Sequence, residues 1–362
     1  MSVDSLAEVH ALLRASHARA RYGAPPQHAH QQRSAVHSLL ERLRSWQRHE
    51  IVRQLPPEAD KGSTSSQSAA CGGARIAIAT QVSAGFLPFA QQLLRNLRTL
   101  GLLHTVVALA EDAASTRELA RWPLRRVFFE PALSTNVSRL VRREADAQFY
   151  AMAVHKIIFV DALLRVGLDV LFLDADISLL CNPLPLLARA PAAVDALVVE
   201  DLPAAPLRSA QGFHGRFNGG VFFVRANART RRALADALAV QRAHPPPYTN
   251  DQSQLNLAVE RGARRRGAAR LSVAALDAEA WQMGPARRKL RHAGRGFARL
   301  PVLVHFNGQR SAMAKVELAR SEGLWQGDNA TASLWRGFRE RHARTLLGGC
   351  EAMPCTSGNA TS

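Results

Sequence analysis

The sequence predicts an α/β protein built around a mostly parallel β-sheet. From residue 75 onward, short apolar segments alternate with amphipathic helical segments, a pattern typical of parallel strands joined by right-handed crossovers. Residues 170–173 (VLFL) are apolar throughout, as expected for a strand that is buried on both faces of such a sheet. The chain has 362 residues, of which 47% are hydrophobic, and this is enough for a sizeable core.

The elements are predicted from the spacing of apolar residues, which recur every three to four positions in helices and form short β-prone runs in strands. In the first half, strand 75–80, helix 86–100, strand 105–109, helix 115–120, strand 126–129 and helix 145–166 lead to the strand that ends at residue 173. In the second half follow strand 196–199, strand 221–224, helix 230–240, a helix ending at residue 260, strand 271–276 and a last strand 302–308. Asn218, Gly219 and Gly220 open strand 221–224, where glycine lets a backbone pass close to a ligand.

The chain is divided by composition into four segments. Residues 1–60 are rich in Arg, His, Gln and Ala, and we expect them to form a helical N-terminal extension or stem. Residues 61–73 are a Ser/Gly-rich linker, residues 74–340 the main domain, and residues 341–362 an irregular tail. No run of about 18 apolar residues exists, so we expect contact with a membrane only through an anchor absent from this sequence.

Composition and motifs exclude several function classes. The formal charge is +18, but lysine is found only at positions 61, 156, 289 and 315, so arginine supplies nearly all of the positive charge. An Arg- and Ala-rich chain of this kind indicates coding bias more than a nucleic-acid surface, and we expect no nucleic-acid partner. The four cysteines form no C-x-x-C pair, which argues against a zinc ribbon. The chain contains neither G-x-G-x-x-G nor a P-loop, so neither an ordinary dinucleotide-binding fold nor a P-loop enzyme is supported.

Two acids follow the apolar run directly, at Asp174 and Asp176. An ionised carboxylate is costly inside an apolar strand, so we expect the strand to end at Leu173 and the acids to emerge at its carboxyl end. Residues two apart on an extended chain point to the same side, so both carboxylates are able to bind one hard cation such as Mg²⁺ or Mn²⁺. The alternative is that the two acids cap the next helix or lie in a solvated turn.

Four segments in order carry a family resemblance. Residues 171–183 (LFLDADISLLCNP), 218–227 (NGGVFFVRAN), 250–256 (NDQSQLN) and 305–325 (HFNGQRSAMAKVELARSEGLW) together resemble the nucleotide-diphospho-sugar transferases of plants and algae, glycosyltransferase family 77. The resemblance covers roughly residues 75 to 325. It implies a GT-A type fold, with a Rossmann-like, mostly parallel central sheet flanked by helices.

The resemblance also implies a metal and diphosphate site. Asp174 and Asp176 match the family's D-x-D motif and would hold Mn²⁺ or Mg²⁺ against the diphosphate of a nucleotide sugar. His305 matches a third metal ligand, and imidazole favours Mn²⁺; the alternative is a strand-end histidine bonded to backbone. Gly308 would let the backbone approach the diphosphate, and Lys315 would pair with a phosphate.

Further polar residues are candidates for binding the substrate or for catalysis. Lys156 matches a basic position of the family and is expected to face the nucleotide or sugar; the alternative is a lysine on the helix surface. Thr80 and Gln81 end the first predicted strand, where a base or ribose would lie, and Asn218 and Gln252 are expected to bond sugar hydroxyls. The catalytic candidates, for contact with the reacting sugar, are Asp251 first and Asp201 second. Each acid has the alternative role of a helix cap or loop acid.

The expected activity is that of a metal-dependent glycosyltransferase. It would move a sugar from a nucleoside diphosphate donor, expected to be UDP-linked, to a hydroxyl of a glycan or glycoprotein, with retention of anomeric configuration as the family implies. The resemblance implies a location in the Golgi lumen. Two other classes stay open on the sequence: a metal-dependent phosphohydrolase of the Asp-x-Asp type, and a non-catalytic basic binding protein.

Overall fold

A computed structural model describes the central part of the chain. The described residues are 41, 76–129, 147–201, 208–209, 212–213, 217–243, 251–278, 280–284, 301–307 and 312–325. The predicted linker and tail lie outside this part, and so does the N-terminal extension apart from residue 41; these boundaries stay predictions. Gly308 also lies outside it. Within the described residues, no helix combines the length and the apolar character needed to cross a bilayer.

The first half of the described chain alternates strands and helices. It consists of β1 (Ile76–Val82), a short 3₁₀ helix (Ala84–Phe86), α1 (Leu87–Thr99), β2 (Val106–Ala110), α2 (Ala113–Leu119), β3 (Arg126–Phe129), α3 (Ala147–Arg165) and β4 (Asp169–Leu173). Each predicted element of this half is confirmed, and β4 ends at Leu173 as expected. Gly167 adopts φ +80° between α3 and β4, a conformation that glycine allows at the end of a helix.

The second half contains shorter strands and the remaining helices. It consists of β5 (Ile177–Leu179), α4 (Leu184–Ala188), β6 (Ala196–Glu200), β7 (Arg208–Ser209), β8 (Gly212–Phe213), β9 (Phe217–Val224), α5 (Ala228–Ala243), α6 (Asp251–Ala263), β10 (Val273–Ala275), β11 (Trp281–Met283), β12 (Leu303–His305) and α7 (Ala312–Ser321). The short hairpin of β7 and β8 forms a separate two-stranded sheet.

The main sheet of the described residues has seven strands in the order β10-β6-β9-β4-β1-β2-β3. All neighbours are parallel except β9, which runs antiparallel to both β4 and β6. The predicted class, an α/β protein with a mostly parallel central sheet flanked by helices, is confirmed.

The direction of β9 places its first residues beside the carboxyl ends of β4 and β6. Asn218, Gly219 and Gly220 lie inside this strand, so the prediction that they precede it is wrong. The strand extends to Phe217 because β6 pairs with it there, Phe217 opposite Glu200, whereas the register with β4 ends at Val221, opposite Leu173.

The last predicted strand belongs to a second, smaller sheet. Here β12 pairs in parallel with β11 and antiparallel with β5, and it spans only Leu303–His305 instead of residues 302–308. The chain enters this sheet directly from the main one, because β5 begins three residues after Asp174. The junction between the two sheets therefore lies at the two acids.

The apolar run of β4 is explained by two hydrophobic cores on opposite faces of the main sheet. Val170 and Phe172 belong to the core beneath α3, α5 and α6, and Leu171 and Leu173 belong to the core that also includes the small sheet. Because successive side chains of a strand alternate in direction, a strand covered on both faces is apolar at every position.

The end of the sheet opposite the acids is held by a buried carboxylate. The side chain of Asp195 is fully buried and accepts hydrogen bonds from Arg229 Nε at 2.7 Å, Asn227 Nδ2 at 2.9 Å and the Ser272 backbone N–H at 2.8 Å. Burial alone would raise the pKa of Asp195, but the hydrogen bonds from Arg229 and Ser272 lower it below its ordinary value. The ionised carboxylate thus ties the starts of β6 and β10 to the start of α5.

We expect Asp195→Asn to lower the free energy of unfolding by about 2 kcal/mol at neutral pH, because it removes charge-assisted hydrogen bonds from a buried cluster. A carboxylate with a lowered pKa stabilises the fold above its unfolded value of about 4, and this contribution is lost as the pH falls further. Urea unfolding of both proteins over a pH series measures the difference, which should shrink only in acid. The exposed Glu317→Gln is the control; an equal loss in both variants would contradict the assignment.

Candidate active site

Three potential metal ligands meet at the junction of the two sheets. One ligand atom from each of Asp174, Asp176 and His305 lies within 4.8 Å of the others. His305 Nε2 is 3.1 Å from Asp176 Oδ1 and 3.9 Å from Asp174 Oδ2. The three residues predicted as metal ligands from the sequence are therefore brought together, although His305 follows Asp176 by 129 positions.

The backbone fixes each of the three side chains. The Asp174 N–H donates to the Gly220 carbonyl at 2.8 Å, which continues the pairing of β4 with β9. In the small sheet His305 pairs with Ile177, and the Phe306 N–H donates to the Asp176 carbonyl at 3.1 Å. Ala175 and Asp176 form a turn, so the carboxylates converge through the bend between the sheets. The sequence argument had assumed an extended chain at this point.

Each acid is also paired with a lysine. Lys156 Nζ lies 3.0 Å from Asp174 Oδ1, and Lys315 Nζ lies 2.5 Å from Asp176 Oδ2. The two oxygens left over, Asp174 Oδ2 and Asp176 Oδ1, are those that face His305 Nε2. The lysines thus bind the outer side of the acid pair and leave an inner side with two oxygens and one nitrogen.

The charges at the site are stabilised by one another. Burial alone would lower the pKa of Lys156, but Asp174 and Asp251 raise it above its ordinary value, so the ammonium stays charged. Burial alone would raise the pKa of Asp176, but Lys315 and His305 lower it well below its ordinary value. The side chain of Asp176 is only 6% exposed, so these partners offset the cost of burying an ionised carboxylate.

The residues present fit a divalent cation. Two carboxylate oxygens and an imidazole nitrogen are a donor set that suits Mn²⁺. The backbone also makes room for it, because a Cβ on Gly220 would lie 2.6 Å from His305 Cε1 and would overlap the Asp174 carboxylate. Only glycine at this position lets β9 pass directly beneath both ligands.

The comparison with protein families identifies the chain. The nucleotide-diphospho-sugar transferase family matches residues 101–318, more than half of the sequence. The chain belongs to this family. The finer resemblance to glycosyltransferase family 77 stays a prediction. A comparison with curated proteins finds no match.

Several solved glycosyltransferases are similar to this transferase at low sequence identity. The galactosyltransferase LgtC, in complex with donor and acceptor sugar analogues, is 13% identical with a TM-score of 0.45, over 72% of this chain and 99% of LgtC. The bifunctional WbbM is 12% identical with a TM-score of 0.45, over 73% of this chain and 52% of WbbM, so the transferase spans about half of that protein. GlyE of Streptococcus pneumoniae TIGR4 is 13% identical with a TM-score of 0.43, over 74% of this chain and 64% of GlyE. The family assignment rests on the sequence match and not on these structures.

Of the two predicted catalytic acids of the transferase, Asp251 is linked to a metal ligand by a shared lysine. Asp251 is the first residue of α6, and its Oδ2 is 2.5 Å from Lys156 Nζ, which therefore joins Asp251 to Asp174. Asn256 holds this helix to the main sheet by accepting from the Phe217 N–H at 2.7 Å and donating to its carbonyl at 2.8 Å. The predicted roles of Lys156 and Asp251 in binding the sugar stay predictions, and their position permits them.

Asp201 is the centre of a group of three amide side chains. Its carboxylate accepts from Asn218 Nδ2 at 3.2 Å, Gln252 Nε2 at 2.9 Å and Asn307 Nδ2 at 3.1 Å. Asn218 and Gln252 were predicted to bind sugar hydroxyls, and here they bind Asp201. Asn307 was missed as a site residue; its position two residues after His305, inside the family segment, was the available signal.

The predicted base or ribose contacts lie deeper in the sheet. Thr80 and Gln81 are buried inside β1, which continues to Val82. Gln81 Nε2 donates to Glu111 at 2.5 Å and to the Met152 carbonyl at 2.8 Å, and Glu111 also pairs with His155 Nδ1 at 2.9 Å. In this arrangement Gln81 links β1 to α3, the helix that carries Lys156, and a contact with the nucleotide stays a prediction.

We expect Gly220→Ala to abolish tight Mn²⁺ binding, because the new methyl group displaces Asp174 and His305. The dissociation constant for Mn²⁺, measured by electron paramagnetic resonance of the free ion, should rise by about tenfold or more. Gly262→Ala is the control. The nearest atoms to a Cβ at this position belong to Leu271, at 3.1 Å, and not to a proposed metal ligand. Unchanged Mn²⁺ affinity in a folded Gly220→Ala protein would show that the ion binds elsewhere.

Proposed function

We propose that this transferase is a metal-dependent glycosyltransferase that moves a sugar from a nucleoside diphosphate donor, UDP-linked, to a hydroxyl of a glycan or glycoprotein. The observation that carries the proposal is the convergence of Asp174, Asp176 and His305 between Lys156 and Lys315. The proposed metal is Mn²⁺ and the proposed location the Golgi lumen, both as the sequence resemblance implies.

The charge pattern supports binding of a diphosphate. When bound, the cation would supply Lewis-acid stabilisation to the leaving diphosphate. Lys315 lies beside the proposed ligands, on the outer oxygen of Asp176, and its ammonium is placed to stabilise further negative charge on the same group. The lysine would move from a carboxylate to a phosphate oxygen, exchanging one anionic partner for another.

The sugar would lie against the start of β9 and the first turn of α6. Asp251, Gln252 and Asn218 present carboxylate and amide groups there, and these are suitable partners for sugar hydroxyls. A carboxylate on the far face of the sugar stabilises positive charge at the anomeric carbon as the diphosphate leaves. We propose Asp251 for this role and retention of anomeric configuration as the outcome.

The phosphohydrolase alternative is disfavoured by topology. In that class the first acid of the motif is a nucleophile after a strand that is usually the first of the domain, whereas here the acids follow the fourth strand of the chain. Membership of the transferase family adds to this argument. A basic binding protein would have no need for three converging metal ligands.

The proposal is tested with a screen of nucleotide sugars for Mn²⁺-dependent hydrolysis or transfer. Asp174→Asn and Asp176→Asn keep the side-chain shape but remove a ligand charge, and we expect each to lower kcat by about a hundredfold or more. Asp236→Asn, which removes a carboxylate of α5 that pairs with Arg265, is the matched control. The proposal fails if the wild type turns over no nucleotide sugar, or if both ligand variants keep wild-type turnover with Mn²⁺.

The role of Lys315 is tested by replacing its charge. We expect Lys315→Met to lower kcat by about tenfold or more, because one cation that stabilises the leaving diphosphate is lost. Lys315→Arg should retain part of this activity, since it keeps the charge. Steady-state kinetics at saturating Mn²⁺ separates this effect from metal loss; equal activity of the Met variant and the wild type would exclude a role in the reaction.

A further inference from the structure

Three amide side chains around Asp201 share one bonding pattern. Each donates its N–H to the Asp201 carboxylate, and each accepts at its oxygen the backbone N–H of a glycine. The glycine donors are Gly220 to Asn218 Oδ1 at 2.9 Å, Gly219 to Gln252 Oε1 at 3.1 Å and Gly284 to Asn307 Oδ1 at 2.8 Å. Because a backbone N–H only donates, it fixes which end of each amide carries the oxygen. The pattern therefore leaves one orientation for all three side chains.

Asn307 is the member of this group that connects the two sheets. It follows the last strand of the small sheet, and its Nδ2 reaches Asp201, which follows β6 of the main sheet, at 3.1 Å. Gly284 follows β11 of the same small sheet, and a Cβ there would overlap the Asn307 carbonyl oxygen. The Asn307 side chain is thus held on one side by β11 and on the other by Asp201.

This connection bears on the metal ligands because they come from both sheets. Asp174 follows β4 of the main sheet, whereas His305 ends β12 of the small one. Only Phe306 lies between His305 and Asn307, so a displacement of Asn307 moves the imidazole as well. Groups that orient metal ligands from behind typically change metal affinity by about 10- to 100-fold when they are removed.

We propose that Asn307 is a positioning residue, which fixes His305 against Asp174 and Asp176 through its hydrogen bond to Asp201. The expected effect of Asn307 on kcat rests on the proposed metal-dependent function. Its expected effect on the hydrogen bonds between the two sheets does not. The Asn307 side chain bonds to Gly284 and Asp201, neither of which is a proposed metal ligand. Its effect is transmitted by the segment 305–307 and by the shared carboxylate of Asp201.

The first test uses the metal-free protein. In Asn307→Ala, the Gly284 N–H loses its acceptor, and we expect its amide hydrogen exchange to be at least about tenfold faster. The amide N–H of Ser272, which donates to Asp195 at the opposite end of the sheet, is the internal reference. Unchanged exchange at Gly284 would show that its N–H does not donate to Asn307 and would overturn the proposal.

The second test measures how the hydrogen bond between Asn307 and Asp201 affects the affinity for Mn²⁺. We expect Asn307→Ala to raise the dissociation constant for Mn²⁺ by about tenfold and to lower kcat, at a temperature where thermal unfolding shows the variant to be folded. Asp201→Ala should have a similar effect on Mn²⁺, and the double variant should bind Mn²⁺ no more weakly than Asp201→Ala, because both changes remove one connection. Arg117→Ala, an exposed truncation on α2, is the control with wild-type affinity.

The outcomes separate this proposal from the proposed function. If Asn307→Ala speeds exchange at Gly284 but binds Mn²⁺ as the wild type does, Asn307 has a structural role only and the proposal is overturned. Additive losses in the double variant would likewise overturn the route through Asp201. If the wild type binds Mn²⁺ but turns over no nucleotide sugar, the proposed function fails, while the exchange and affinity measurements still decide the role of Asn307.

Discussion

The buried carboxylate of Asp176 imposes the constraint on which the rest of the site depends. Its side chain is almost fully covered, and an ionised group in that position is stable only if a cation or hydrogen-bonding groups surround it. Lys315 supplies a cation from α7, and His305, at the end of β12, places a ring nitrogen 3.1 Å from Asp176 Oδ1. Three elements that are distant in the sequence are therefore held at one point, and any ligand that binds there enters a field already set by these charges.

The same requirement extends across the junction to Asp174. Lys156 lies 4.9 Å from the ring of Phe172 and is shared between Asp174 and Asp251. This places the first turn of α6 against the metal ligands. The helix that carries Lys156 is held in turn by the buried contacts of Gln81, Glu111 and His155. The ion pairs of Lys156 at the metal ligands are thus supported by the buried hydrogen bonds of Gln81 and Glu111.

The class of fold and the acid pair were predicted from local patterns, because alternating apolar segments mark the strands and Asp174 and Asp176 directly follow a buried one. Their role as metal ligands, and that of His305, came from the family resemblance, because the acids alone also suit a helix cap or a solvated turn. The direction of β9 was not predictable from its own residues, since an apolar strand has the same composition in either direction. Gly219 and Gly220 were placed before the strand instead of inside it because glycine is disfavoured within strands, whereas pairing with β6 extends β9 back to Phe217.

The polar group around Asp201 was beyond sequence reasoning for a different reason. Asn218, Gln252 and Asn307 are separated by tens of residues, and an amide is compatible with a sugar contact as well as with a contact to a neighbouring side chain. Only the fold shows that each is bonded to a glycine N–H and to one carboxylate. The domain boundaries at residues 60, 73 and 340 lie outside the described residues and stay predictions.

The antiparallel course of β9 has a consequence for how the protein folds. The strand pairs with both β4 and β6, and Gly220 lies directly beneath Asp174 and His305 only when it is paired with β4. The ligand cluster consequently depends on contacts of high sequence separation, which form slowly because long loops must close first. An unfolded chain has no such cluster, so a cation bound at these ligands would stabilise the completed fold, by an amount that grows with the logarithm of its concentration above the dissociation constant.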